Sequence, residues 1–219
     1  SAASDVYKRQ HIRFQPGLNE DLAASAIWGS QQTNLHEGGK YDGVFAIWYG
    51  KGPGVDRCGD VFKHGNMSGP AKHGGVLLIA GDDHAAKSST VPHQSEYAFM
   101  DASIPVLNPA GLQDIVDYGI LGFAMSRFSG CWVAFKTTAE NMDSSASIDV
   151  SPDRVKISLP KFDMPEGGLS IRWPDDWIEQ EHRLHQYKLN AVRAFARQNK
   201  IDKTIINSQN PKLGVVTTG

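Results

Sequence analysis

Val44-Phe45-Ala46-Ile47-Trp48-Tyr49-Gly50-Lys51-Gly52-Pro53-Gly54-Val55-Asp56-Arg57-Cys58-Gly59-Asp60 is the stretch that sets the fold. Its first five residues form a continuous apolar run bounded by Gly43 and Gly50, as in a strand buried on both faces of a parallel sheet. The run ends in a Gly-rich, charged segment, and the pattern then repeats: Gly75-Val-Leu-Leu-Ile-Ala-Gly81 leads into Asp82-Asp83-His84-Ala85-Ala86-Lys87-Ser88-Ser89-Thr90. Two such loops leaving one edge of an α/β sheet form a ligand crevice, because glycine lets the backbone approach a ligand closely.

Outward from these strands, the elements alternate. Ile12-Arg13-Phe14 reads as a strand stub closed by Gln15-Pro16-Gly17, and Asn19 as the cap of a helix from about Glu20 to Leu35. Asp60 to Gly69 reads as a short helix, Gln94 to Ala102 as another, Ile104 to Leu107 as a strand, Leu112 to Phe128 as a longer helix and Cys131 to Lys136 as a strand. Alternation of this kind predicts an α/β fold, a mostly parallel sheet with helices on both faces. Composition changes near Asn141. Val155 to Leu159 is the clearest strand beyond it, a charged helix spans about Asp175 to Asn199, and Lys203 to Asn207 and Lys212 to Thr218 read as strands. The expected organisation is a main domain over 11–140, a connector with one docking helix over 141–200, and the start of a second α/β domain over 201–219.

Residues 1–10 resemble a translated sequencing adapter and are set aside from fold reasoning. With no start methionine before His11, the chain is expected to be an internal fragment of a longer protein. A formal charge of -2 points to neither nucleic acid nor an anionic membrane as partner. No apolar run approaches membrane-spanning length, and the two separated cysteines, Cys58 and Cys131, encode no cluster or local zinc site. A reducing, cytoplasmic compartment is the expectation.

Several constellations could carry chemistry. Glu20 opens a helix directly after a Pro-Gly turn; it could serve only the helix terminus, or it could aim a carboxylate into the crevice. Asp56, Asp60, Asp82, Asp83, His84 and His93 have metal-binding side chains but no familiar ligand spacing, so no metal is expected there. Hydrogen bonding to a cofactor or subunit is the better reading. Gly50, Gly52 and Gly54 suggest a phosphate cradle in composition only, since Lys51 precedes the last glycines instead of ending them. Ser88, Ser89 and Thr90 lack a nucleophile elbow. Trp48, Trp132 and Phe135 fit a core, and His182 and His185 a solvated or interfacial helix face.

Four runs, residues 11–24, 40–57, 73–89 and Gly168-Leu-Ser-Ile-Arg-Trp-Pro174, together resemble the thiamine diphosphate-dependent 2-oxoacid:ferredoxin oxidoreductases, and among them the long fused bacterial indolepyruvate ferredoxin oxidoreductases. The resemblance covers the chain from 11 to 219. It implies that 11–140 is most of a pyrimidine-binding domain lacking its first strand and helix. It further implies that Glu20 bonds N1′ of the cofactor's aminopyrimidine, favouring the imino tautomer that removes the thiazolium C2 proton. Lys51, Gly52, Gly54, Asp56, Asp83, His84 and His93 would then lie near the pyrimidine or the substrate. The implied reaction converts an aryl 2-oxoacid such as indolepyruvate to an acyl group passed to coenzyme A, with electrons leaving through [4Fe-4S] clusters to ferredoxin. Thiamine diphosphate, with Mg2+ bound outside this stretch, is the implied cofactor. The missing diphosphate-binding domain and a homo-oligomeric assembly are the implied partners. On this reading the fragment is inactive alone. Cys58 is read as a small-residue replacement or a reactive thiol beside the site. Two alternatives are another thiamine diphosphate-dependent 2-oxoacid oxidoreductase and a non-catalytic assembly domain of pyrimidine type.

Overall fold

Four strands form one all-parallel sheet in the order β1-β2-β4-β3: β1 Phe45–Lys51, β2 Gly75–Asp82, β3 Val106–Leu107 and β4 Val133–Thr138. The structure is a computed structural model and describes residues 11–218; the adapter-like residues 1–10 lie outside them. Because the strands run the same way, their carboxyl ends share one edge. Lys51 pairs in register with Gly81, and Asp82 with Thr138.

Helices cover both faces, as expected. On one face α1 (Glu20–Ser30), α2 (Gly52–Arg57), α3 (Gly59–Ser68) and α4 (Glu96–Asp101) pack Ala24, Val55, Phe62 and Phe99 against Trp48, Leu78, Trp132 and Ala134. On the other, α5 (Leu112–Ser129) and α8 (Leu189–Gln198) pack Leu121, Met125 and Phe195 against Leu77, Val133 and Phe135. Burying one such side chain contributes roughly 1.5–3 kcal/mol. Trp48, Trp132 and Phe135 are core residues, as read from the sequence.

Asn19 caps α1 by accepting from the Leu22 amide at 2.9 Å. The helix ends at Ser30, short of the expected Leu35. The Gln31 and Asn34 side-chain amides turn instead to the carbonyls of Val44 and Asp42 and fix the entry to β1.

Three expectations fail. Strand β1 is buried on one face only: Phe45, Ile47 and Tyr49 are 53%, 50% and 64% exposed at this edge of the sheet, where Phe123 and Arg127 of α5 meet the Phe45 ring. The segment after β1 is not a loop but the short helix α2, with Pro53 in its first turn, where a missing N–H leaves no bond unmade. The stretches 12–14, 155–159, 203–207 and 212–218 form no strand. Apolar alternation makes a strand only where a neighbouring ladder satisfies its backbone, and these segments have none among the described residues.

The predicted charged helix is present in three continuous parts: α7 (Trp177–Arg183), a π turn (Leu184–Lys188) and α8; α6 (Ala139–Met142) is a single turn after β4. Leu184 and Lys188, four apart on one helix face, both point inside. Lys188 is fully buried and donates to the carbonyls of Met67 (2.7 Å) and Asn66 (3.2 Å) at the end of α3. Desolvation pushes its ammonium down to about 8. His182 and His185 face solvent.

Candidate functional site

The carboxyl edge of the sheet collects side chains that lie far apart in sequence. Helix α1 runs back along β1: Gln31, just past its last turn, bonds Val44 before the strand, while the carbonyl of Glu20 at its start accepts from Trp48 Nε1 at 3.0 Å. Glu20 is thereby set at the end of β1, beside α2. A Cβ on Gly54 would stand 2.7 Å from Glu20 Cγ and 3.3 Å from Cδ and Oε1, so the missing side chain at 54 is the seat of the Glu20 side chain. Arg57 lies 3.6 Å from both Glu20 and Asp21, and the Glu20 side chain keeps 39% exposure. A partly exposed carboxylate, seated on backbone and steadied by a guanidinium, can accept or share a proton with a ligand nitrogen.

Gly52 is a second seat of the same kind, where a Cβ would fall 2.0 Å from His93 Cγ. His93 Nε2 stands 2.9 Å from Asp56 Oδ2, and Nδ1 stands 3.6 Å from Asp82 Oδ1 and 3.5 Å from Ser95 Oγ. The Asp82 side chain is fully buried; it accepts from the Ser95 amide (2.9 Å) and hydroxyl and faces Lys136 Nζ at 3.6 Å. Lys136 in turn pairs with Glu96. A buried carboxylate needs such partners, and here they come from β4 and from Ser95, the residue just before α4.

Asp83 folds the following loop. It accepts from the amides of Ser88 and Lys87, which hold its carboxyl below the usual carboxylate range. The loop is tied back to β1, since Lys51 Nζ donates to the Ser88 carbonyl at 2.7 Å. His84, exposed, lies with Pro92, His93 and Gln94 around an opening of about 360 Å³.

The residues read from the sequence therefore fall into three contacts on one edge: Glu20 with Gly54; His93 with Gly52 and Asp56; and Lys51 with the Asp83 loop. His84 stands on the rim. Nothing in the sequence marks Ser95, Glu96 or Arg57 as site residues, whereas Lys136 carries a signal, a charge closing the apolar run Cys131 to Phe135. The Cys58 thiol is buried and pushed up to about 12 by burial and by Asp21 and Glu20, which makes it an inert packing group, not a reactive thiol. Among the described residues no three His, Cys, Asp or Glu side chains are grouped to hold a metal, and no helix is long and apolar enough to cross a membrane.

No protein-family model and no solved structure matches the chain. Two curated proteins do. The indolepyruvate oxidoreductase subunit IorA of Methanothermobacter thermautotrophicus is 21% identical over 222 residues, 99% of this chain and 33% of that protein. The subunit of the same name from Pyrococcus abyssi is 23% identical over 154 residues, 67% of this chain and 23% of that protein. The chain thus spans a third or less of the length of these relatives. Both are named as subunits, so the likeness does not bear on the fused bacterial form. At low identity, the chain is similar to indolepyruvate oxidoreductase subunits.

Proposed function

We propose that this chain forms the pyrimidine-binding side of a thiamine diphosphate site in an enzyme that oxidatively decarboxylates aryl 2-oxoacids of the indolepyruvate type. The observation that carries the reading is Glu20: a helix-opening carboxylate at the carboxyl edge of a parallel sheet, seated on Gly54 with part of its surface open. The residues suit the cofactor, because a carboxylate that is 39% exposed and steadied by Arg57 can meet the ring nitrogen of a pyrimidine. Glu20 would hold the pyrimidine by a bond to N1′ and exchange a proton there, while Arg57 and Trp48 fix its position. Lys51, Asp56, Asp83, His84 and His93 would line the approach. When bound, thiamine diphosphate supplies the electron sink for cleaving the carboxylate from a 2-oxoacid. The diphosphate and its Mg2+ would be held by a separate domain, coenzyme A would take the acyl group, and ferredoxin would take the electrons through clusters carried elsewhere.

In the intact enzyme, Glu20→Ala should abolish indolepyruvate decarboxylation while leaving the circular dichroism and thermal unfolding of the protein unchanged. Wild-type turnover by that variant refutes the assignment.

A further inference from the structure

Within the site just proposed, and resting on that reading, we infer that His93 Nε2–H is the donor that holds the carboxylate of the 2-oxoacid, and that Asp56 occupies its place while no substrate is bound. The imidazole is not free to wander. It lies against the bare backbone of Gly52, its amide donates to the Asp83 carbonyl at 3.2 Å, and its side chain is only 14% exposed. The Nδ1 side faces the inside of the protein, toward Ser95 Oγ and the buried carboxylate of Asp82.

The Ser95 hydroxyl donates to Asp82, and at 3.5 Å from Nδ1 it is beyond a firm hydrogen bond to the ring. Nε2 faces outward, 2.9 Å from an Asp56 oxygen, and a carboxylate acceptor requires that Nε2 carry the proton. What the geometry displays is an N–H donor already holding a carboxylate oxygen at bonding distance, on a residue that lines an opening with His84, Pro92 and Gln94. Asp56 is a poor permanent partner. Its side chain is 61% exposed, and it can exchange His93 for water at small cost, whereas His93 is fixed. A substrate carboxylate entering the opening replaces one carboxylate by another at the same donor. Asp82, Ser95 and Lys136 act as positioning residues behind the ring.

The test uses the intact enzyme with phenylpyruvate as probe. His93→Phe should raise KM about 30-fold with kcat within about threefold, the loss of one charge-assisted hydrogen bond. His93→Gln, which keeps an N–H donor, should recover most of that loss. Asp56→Ala, which removes the competing carboxylate, should lower KM severalfold, an effect that a merely structural His93–Asp56 pair would not produce. Unchanged KM in His93→Phe, or a raised KM in Asp56→Ala, overturns the proposal. If those variants fail this test while Glu20→Ala still abolishes turnover, the His93 role alone is wrong. If Glu20→Ala retains turnover, the reading of the site as a whole is wrong.

Discussion

Gly54→Ala separates the site from the fold by adding a single methyl group. The new Cβ would stand 2.7 Å from Glu20 Cγ, so the side chain must retreat by about 0.7 Å to reach ordinary contact. The obstacle is a flexible, partly exposed side chain and not backbone, so it can give way. Alanine in place of glycine inside a helix contributes about 1 kcal/mol, and pushing Glu20 off its rotamer costs about 0.5–1.5 kcal/mol. Unfolding free energy should therefore change by less than about 1 kcal/mol. Chemistry is less forgiving, since a displacement near 1 Å of a group that must meet a reacting atom can cost about 100-fold. The expected outcome is a kcat for indolepyruvate lowered about 10- to 100-fold at unchanged stability, read by chemical denaturation and by turnover of the intact enzyme. Turnover within about twofold of wild type would show that Glu20 is not held by the space at 54 or that its position does not matter.

Stability should also depend on pH in a way that Lys188 sets. Its ammonium is pushed from an ordinary 10.5 down to about 8, so between pH 8 and 9 the unfolded chain binds more protons and stability rises, by up to about 1.4 kcal/mol. Above pH 9 the trend reverses: the buried Cys58 and Cys131 thiols, pushed up from 9.0 to about 12 and about 11, keep protons that the unfolded chain loses. Denaturation curves across pH 7 to 11 should therefore show a maximum near pH 9, and Lys188→Met should remove the rise but keep the fall. Asn66→Ala should cost about 3–5 kcal/mol by chemical denaturation, because buried Asn66 donates to the carbonyls of Ala102 and Ser103 and accepts from the Trp132 amide, all within 3.0 Å.

Much of the architecture is legible in the sequence because it is local. The apolar runs at 44–48 and 75–81, each stopped by glycine, locate the two strands that launch the site, and Asn19 marks the start of α1. What the sequence hides is through-space. Gly52-Pro53-Gly54 reads as a turn because both glycines disfavour helix, yet the chain coils there, and the missing side chains serve Glu20 and His93 arriving from other segments. Asp82, Ser95, Lys136 and Glu96 come from three elements, and only the β2–β4 register and the fold of the 83–95 loop make them neighbours. Residues 203–218 mislead for the opposite reason, since their apolar alternation is a local signal with no ladder to act on among the described residues.

The two bare positions of α2 bear on how the site behaves when the protein moves. Glu20 and His93 reach it from a helix and a loop, yet both rest on one turn that continues directly from β1. That turn acts as a common gauge block. The two side chains therefore share one reference point in the chain, and a shift of that turn displaces the seats of both together.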